Sequence, residues 1–246
     1  MSAALTVSGL SVRFGGVRAV NGIGLRVDDS AIVGLIGPNG AGKTTTIDAI
    51  CGFVASDGEV AIRGRDVSGV RPHLRARSGI SRTFQTLELF EDMTVGENLT
   101  VAAESLGIRE RRKASRERAA RALHRVGLDT DLDVVPHELP HGDRKLIAVA
   151  RALIGEPALL LLDEPAAGLN SAESAVLGQR LRQLQGEGTA ILLVDHDMGL
   201  VSSTCDHVYV LDFGEVIAEG QYEQILHDSR VVAAYLGGTE QGRSAS

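Results

Sequence analysis

The sequence predicts an α/β protein with a mostly parallel sheet as its core, an antiparallel β subdomain near the amino end and an inserted helical subdomain. Continuous apolar runs of strand length alternate with helix-period segments, which is typical of parallel sheets covered on both faces. Near the amino end, shorter apolar runs are interrupted by glycines, which favours antiparallel strands. Between about residues 87 and 155 the helical period dominates.

Runs of aliphatic residues mark the strands of the core. The first run is followed by a glycine-rich turn and a helix from Lys43 to about Cys51, and another strand closes at Gln85. The core strands are expected at 31–36, 80–84, 159–162, 191–194 and 208–211, and the antiparallel strands at 5–7, 12–14 and 58–62.

Two helices of the inserted segment carry an apolar stripe with the spacing i, i+3, i+4, i+7. One stripe runs from Ala119 to Val126 and stops at Gly127, and the other runs from Leu146 to Ile154 and stops at Gly155. We expect a single domain over 1–246. Its core comprises about 1–86 and 156–230, its helical subdomain about 87–155, and its frayed polar tail 237–246.

Composition excludes several classes of protein. The formal charge is −7 and there is no Trp, so general binding to nucleic acid through phosphate contacts or base stacking is not expected. Two distant cysteines form no CxxC, which favours a reducing, cytoplasmic setting. No apolar run approaches the ~20 residues of a membrane span, so any work at a membrane needs another chain to cross it.

The segment after the first core strand fits G-x-x-x-x-G-K-[ST] in full, between a strand and a helix. Its glycines let backbone N–H groups surround a polyphosphate, and the helix N-terminus adds positive charge. Lys43 is expected at the β and γ phosphates, Thr44 at Mg²⁺ and Thr45 at the α phosphate. The loop consists of Gly37, Pro38, Asn39, Gly40, Ala41, Gly42, Lys43, Thr44 and Thr45.

Four leucines lead directly into Asp163 and Glu164. In a protein with a phosphate loop, an acid at the end of a buried strand holds Mg²⁺ through its water shell, the role expected of Asp163. Glu164 would polarise the attacking water as a general base.

Two further polar residues lie where strands of the predicted sheet end. Gln85 closes the strand 80–84, and His196 follows the strand 191–194. Ligands of parallel α/β sheets lie at the carboxyl ends of the strands, so both residues are expected near the γ phosphate.

This order of motifs resembles the nucleotide-binding subunit of ABC transporters over nearly the whole chain. The resemblance implies ATP as the ligand, Mg²⁺ as its ion and two such subunits enclosing two ATP molecules. It implies that Phe14 stacks on adenine, that Gln85 senses the γ phosphate and binds Mg²⁺, and that His196 is the switch histidine. Residues 139–143 hold the position of the signature, which a partner's ATP contacts, and Asn170 ends a loop at the dimer interface.

Finer features are similar to the LivG-type subunit of branched-chain amino-acid importers, and urea and amide importers share much of the pattern. The implied partners are a second, paralogous cassette, two transmembrane permeases and, indirectly, an extracytoplasmic solute-binding protein, with the chain on the cytoplasmic face of the membrane. The features are 13–16, 82–85, 93–99, 164–170, 196–198 and 233–237.

The signature departs from the family pattern Leu-Ser-Gly-Gly-Gln. Pro140 replaces the serine and His141 the first glycine, while Gly142 is retained. Proline has neither a hydroxyl nor an N–H, so the hydroxyl contact to the partner's γ phosphate is expected to be missing unless His141, above all when protonated, replaces it. We therefore expect an asymmetric heterodimer in which this chain supplies the weaker signature.

Of two other classes of function with the same ATPase head, the sequence disfavours one and leaves the other open. A chromosome-handling ATPase with the same head normally carries long coiled coils or zinc cysteines, which this acidic chain lacks, whereas a soluble ABC ATPase of cofactor assembly is compatible with its length. Residues 109–125 hold seven arginines and one lysine against two glutamates. The apolar stripe of the same segment favours a solvated helix face over a nucleic-acid site.

Overall fold

The computed structural model describes residues 2–84 and 88–237, which form ten strands and nine α-helices. The strands are β1 (Ala3–Phe14), β2 (Val17–Asp28), β3 (Ile32–Ile36), β4 (Asp57–Ile62), β5 (Arg65–Asp66), β6 (Ile80–Arg82), β7 (Leu159–Asp163), β8 (Ala190–Val194), β9 (His207–Asp212) and β10 (Glu215–Gly220). The helices are α1 (Lys43–Cys51), α2 (Pro72–Arg77), α3 (Val95–Ser105), α4 (Arg112–Arg125), α5 (His141–Leu153), α6 (Ser171–Gly186), α7 (Met198–Thr204), α8 (Tyr222–Ile225) and α9 (Ser229–Gly237).

The central sheet has six strands in the order β10-β9-β3-β8-β7-β6. Every pair is parallel except β9 and β10, which form an antiparallel hairpin. All residues of β3, β7 and β8 are buried, as expected for strands covered on both faces. This confirms the predicted parallel core, and it brings the carboxyl ends of β3, β8 and β7 side by side.

A second sheet, in the order β2-β1-β4-β5, is antiparallel throughout. Here two expectations were wrong in detail. The runs 5–7 and 12–14 are parts of the single strand β1, because Gly9, at φ 62, lies in an irregularity of the pairing and does not end the strand. The twelve-residue strand β2 was not predicted, since its apolar residues are interrupted by polar ones and glycine.

The apolar core lies on both faces of the central sheet. Leu192 of β8 belongs to a cluster with Leu35, Ile47 of α1 and the antiparallel sheet. The next residue, Leu193, belongs to the cluster on the opposite face, with α6 and the inserted helices. Neighbouring residues of a strand thus pack on opposite layers, which holds α1 and α6 on opposite sides of the sheet.

The inserted segment folds as α3, α4, a short 3₁₀ helix (Pro136–Glu138) and α5. α3 begins with a capping box between Thr94 and Glu97. α5 begins at His141, and Pro140 caps it with φ −53 and ψ 152. That extended conformation suits the fixed φ of proline just outside a helix.

The end of β6 differs from the expectation, and most of the predicted tail is not described by the structure. β6 ends at Arg82, whereas the predicted strand ran to Phe84. The predicted polar tail lies outside the described residues, except for Gly237 at the end of α9. Within 2–84 and 88–237, no helix has both the length and the apolarity needed to cross a membrane.

Candidate nucleotide-binding site

The phosphate loop joins β3 to α1 at the centre of the sheet. Gly37 has φ 149, and a Cβ there would lie 2.1 Å from the carbonyl oxygen of Leu211. Gly42 caps α1 with φ 103, and a Cβ there would lie 2.6 Å from the carbonyl oxygen of Ala19. Glycine is therefore required at both positions for the loop to fit between β9 and β2.

The Lys43 ammonium lies inside this loop. Its Nζ donates to the carbonyl oxygen of Gly37 at 2.7 Å and to that of Pro38 at 3.0 Å, and the residue is 7% exposed. Burial lowers the pKa of Lys43, while the carboxylates of Glu164 and Asp163 act to raise it. The loop lysine and the two acids after β7 therefore share one electrostatic site.

Asp163 ends β7 and is 3% exposed. Its Oδ2 accepts a hydrogen bond from Arg82 Nη2 at 2.9 Å. Burial raises the pKa of Asp163, and the hydrogen bond from Arg82 opposes that rise. The carboxylate is thus held by a cation at a strand end adjacent to the phosphate loop, with only β8 between them.

Glu164 has a left-handed backbone, with φ 48. Its N–H donates to the carbonyl oxygen of Val194 at 2.7 Å, which ties the turn to the end of β8. A non-glycine residue at positive φ costs on the order of 1–3 kcal/mol and is found mostly at functional sites. His196 Nδ1 lies 3.7 Å from Glu164 Oε2, so the two predicted catalytic side chains do come together.

Asp195, which the sequence analysis passed over, organises this edge. It is 1% exposed, and its Oδ2 accepts from the N–H of Ala166 at 2.9 Å. Its Oδ1 accepts from the N–H of His196 at 2.8 Å and of Asp197 at 2.9 Å. One carboxylate therefore fixes both the turn after Glu164 and the turn that carries His196.

Lys145, on α5, was also missed. It is 7% exposed, and burial lowers its pKa while Asp195 and Glu164 act to raise it. No motif points to this lysine, and only the fold brings the inserted helix close to the acids. Arg82 was missed for the same reason, since its two carboxylate partners are distant in sequence.

The predicted adenine contact is on the edge of the site. Phe14 precedes the β1–β2 turn and is 53% exposed. Strand β2 of the same hairpin lies against the phosphate loop, because Gly42 approaches the carbonyl oxygen of Ala19. The turn between β9 and β10 lies beside both, since the N–H of Gly214 donates to the carbonyl oxygen of Ala41 and its own carbonyl oxygen accepts from the N–H of Asn21. Gln85, the predicted γ-phosphate sensor, lies outside the described residues.

The signature forms a second surface. Pro140 and His141 are exposed at the start of α5. The imidazole of His141 lies close to Gly168, since a Cβ built on Gly168 would lie 3.2 Å from His141 Nε2. A Cβ built on Gly142 would lie 3.5 Å from the Glu173 carboxylate. No hydrogen bond or ion pair of the described residues joins 140–142 to the phosphate loop.

Asn170 lies beside this surface as the N-cap of α6. Its Oδ1 accepts from the N–H groups of Ala172 and Glu173, both at 3.0 Å. The Glu173 carboxylate in turn accepts from the N–H of Asn170 at 2.9 Å. The cap makes the loop 168–170 a fixed neighbour of the signature.

The available donors suit magnesium. Thr44 is exposed in the first turn of α1, and Asp163 supplies a carboxylate. These hard oxygen donors match Mg²⁺, which is usually held by one or two protein groups together with substrate phosphates. In the described part of the chain, no three His, Cys, Asp or Glu residues form a metal cluster.

Three of the seven arginines in the segment 109–125 form ion pairs with acidic residues outside α4. Arg116 pairs with Asp133, Arg118 with Glu110, and Arg125 with Glu187. These arrangements agree with the solvated helix face expected from the sequence.

The profile of the ABC transporter family matches residues 20–167, and that of the branched-chain amino acid ATP-binding cassette transporter matches 215–241. The chain is 39% identical to the high-affinity branched-chain amino acid transport ATP-binding protein BraF of Pseudomonas aeruginosa over 248 residues, covering 95% of this chain and 97% of BraF. The same identity and coverage hold for the high-affinity branched-chain amino acid transport ATP-binding protein LivG of Escherichia coli K12.

Solved structures agree. The ADP conformation of MJ1267, an ATP-binding cassette of an ABC transporter, superimposes with a TM-score of 0.88 at 30% identity, covering 96% of this chain and all of MJ1267. The sequence and structure comparisons thus lead to the same family over nearly the full chain. The chain belongs to the ABC transporter family, as an ATPase cassette similar to the LivG-type subunits.

Proposed function

We propose that this chain is the ATP-hydrolysing subunit that energises a membrane importer of branched-chain amino acids. The observation that carries the proposal is the common electrostatic site of Lys43, Asp163 and Glu164, formed by loops after strands β3 and β7. The similarity to LivG and BraF supports the class of solute, which a nucleotide-binding subunit itself does not touch.

In the proposed reaction, Lys43 and the N–H groups at the start of α1 bind the polyphosphate. Thr44 and Asp163 would hold Mg²⁺, with Gln85 as a further ligand, and the bound ion would supply charge neutralisation at the phosphates. Glu164 accepts the proton of the attacking water. His196, 3.7 Å from Glu164 Oε2, orients that carboxylate and the γ phosphate. Phe14 stacks on the adenine ring.

We propose that the second half of each site comes from a paralogous cassette. The signature at Pro140, His141 and Gly142, of which the first two residues are exposed, is then offered to the partner's ATP, with Asn170 beside it. Since Pro140 lacks a hydroxyl, the partner's site is the weaker of the two.

The permeases are proposed to dock in a groove of about 600 Å³ between the sheet core and the inserted helices. Its apolar lining includes the exposed rings of Phe53 and Phe84 together with Leu106 and Ile108. Its basic lining suits a permease loop with apolar and acidic residues. Docking there places this chain on the cytoplasmic face of the membrane, and residues 87–155 act as the helical subdomain between the signature and the permease.

Reconstitution tests the proposal. The chain is purified with two candidate permeases and a candidate second cassette, placed in liposomes, and supplied with a candidate solute-binding protein. ATP-dependent uptake of leucine, abolished when Glu164 is replaced by Gln, is the expected result. If the liposomes take up urea but not leucine, the transported solute is urea. Hydrolysis that no permease stimulates would contradict a role in transport.

A further inference from the structure

Arg82 joins two acidic residues that lie on separate elements of the site. From the end of β6, its Nη2 donates to Asp163 Oδ2 at 2.9 Å, and its Nη1 pairs with the Asp48 carboxylate of α1. The arginine side chain is 8% exposed and that of Asp163 3% exposed. A planar guanidinium that bridges two carboxylates fixes the separation and orientation of both.

The same guanidinium contacts the wall of the groove. Its central carbon lies 4.9 Å from the ring centroid of Phe84 and 5.9 Å from that of Phe53. The two rings are 6.3 Å apart, and both side chains are exposed on the groove surface. Arg82 Nε has no hydrogen-bond partner among the residues the structure describes. The two carboxylates, the two rings and the thiol of Cys51 surround the guanidinium.

These contacts have a consequence for the proposed metal ligands. Asp163 ends β7, whereas Thr44 is in the first turn of α1, the helix that also carries Asp48. The bridge from Asp48 through Arg82 to Asp163 therefore sets the position of one ligand relative to the helix that carries the other. Residues that orient metal ligands in this way typically change metal affinity by about 10- to 100-fold when they are replaced.

We propose that Arg82 is a positioning residue that holds Asp163 at the distance from α1 required for Mg²⁺ and connects it to the aromatic wall of the groove. The inference rests on the proposed function, in which Asp163 and Thr44 hold the ion. It assigns no contact between Arg82 and ATP or Mg²⁺. A change at the groove aromatics alters Mg²⁺ binding through the guanidinium.

The test measures the affinity of the isolated chain for a fluorescent ATP analogue, with Mg²⁺ and with EDTA. The ratio of the two affinities reports the contribution of the metal, and a purely structural ion pair does not change it. Arg82→Met is expected to lower the ratio by about 10- to 100-fold. Arg82→Lys, whose ammonium does not reproduce the fork, should lower it less, and it decides the question if Arg82→Met does not fold.

Matched variants separate the alternatives. Arg116→Met, which removes an exposed arginine–aspartate pair on α4, should leave the ratio unchanged. Phe84→Leu should lower the ratio by about two- to fivefold, as expected for one lost cation–π contact. In an Asp163→Asn background, Arg82→Met should cause no further decrease.

An unchanged or increased ratio in the folded Arg82 variants overturns the inference, and so does an equal decrease in the Asp163→Asn background. A Phe84→Leu ratio equal to that of the parent overturns the link to the groove. If Asp163→Asn alone leaves the ratio unchanged, the proposed metal assignment fails first, which distinguishes the two failures.

Discussion

The phosphate half of the site and the signature half differ in how firmly the chain itself fixes them. In the phosphate half, Lys43, Asp163 and Asp195 are all less than 10% exposed, and each has side-chain hydrogen bonds within the chain. In the signature half, Pro140 and His141 are exposed, and neither side chain takes part in a hydrogen bond of the described structure. The chain thus completes one surface internally and presents the other to solvent.

This difference indicates how binding and hydrolysis are divided. A buried, hydrogen-bonded constellation is pre-organised, so its parts act without large rearrangement on ATP binding. An exposed helix start gains full value only when a partner's phosphate removes water from it. The chain alone should therefore bind ATP well but hydrolyse it slowly. Substitutions in the phosphate half and in the signature half should then have different effects.

The largest expected effect is on the catalytic base. Glu164→Gln should lower hydrolysis by the assembled transporter about 10²- to 10⁴-fold while leaving ATP affinity near that of the parent, because the amide cannot accept the proton of water. Phosphate release and nucleotide binding are measured in parallel. Glu187→Gln, at a surface ion pair with Arg125, is the matched control and should hydrolyse normally. Parental hydrolysis by Glu164→Gln, with the same partner, would remove Glu164 from the role of base.

The next effect concerns the phosphate loop. Lys43→Ala removes a charged donor to phosphate, so ATP affinity should fall by about 2–3 kcal/mol, or 30- to 150-fold. Adenosine affinity should not change, because the lost contact is to phosphate and not to the base. Calorimetry with both ligands makes the measurement, with the exposed Lys113→Ala of α4 as control. Equal losses for ATP and adenosine would mean that the substitution damages the loop as a whole.

A smaller effect is expected on the exposed side. Pro140→Ser combined with His141→Gly restores the family pattern and adds one hydroxyl contact to a charged acceptor, worth about 1.5 kcal/mol or close to tenfold in rate. Glu164→Gln in this chain isolates hydrolysis at the partner's site, where the gain should appear.

The control for that experiment is the reciprocal one. With the base removed from the partner chain instead, hydrolysis at this chain's own site should not respond to the signature change. If the partner's site is equally fast with either signature, or if the chain is fully active as a homodimer, the proposed asymmetry is wrong.

The same contrast governs what the sequence could predict. The parallel core and the loop 37–45 were predictable because a local pattern of residue types determines them. Asp195 and Arg82 were not, since their roles depend on Ala166, Asp48 and Asp163, which only the folded sheet brings near. The break expected between strands at 5–7 and 12–14 was wrong, because Gly9 lies there at positive φ, which fits a strand irregularity as well as a turn.

The smallest effect tests the link between the two halves. Ser174 of α6, the helix capped by Asn170, donates through its hydroxyl to Asp197 Oδ2 at 2.6 Å, and Asp197 caps α7 directly after His196. That hydrogen bond is the main reason that the pKa of Asp197 lies below its ordinary value of 3.8. A carboxylate with a lowered pKa adds stability at pH values above 3.8, and this stability is lost as the pH falls through the folded-state pKa.

Ser174→Ala should therefore lower the free energy of unfolding by about 1 kcal/mol at pH 7 and by the same amount at pH 5. The difference from the parent should shrink as the pH falls from 3.8 through the lowered pKa of Asp197 in the folded parent, because Asp197 becomes protonated in both proteins over that range. Urea unfolding at a series of pH values makes the measurement, and Ser105→Ala, whose exposed hydroxyl bonds only its own helix, is the control. A deficit that stays constant down to pH 3 would show that Ser174 stabilises the fold by packing alone. The hydrogen bond between Ser174 of α6 and Asp197 would then provide no charge-dependent coupling between the two halves of the site.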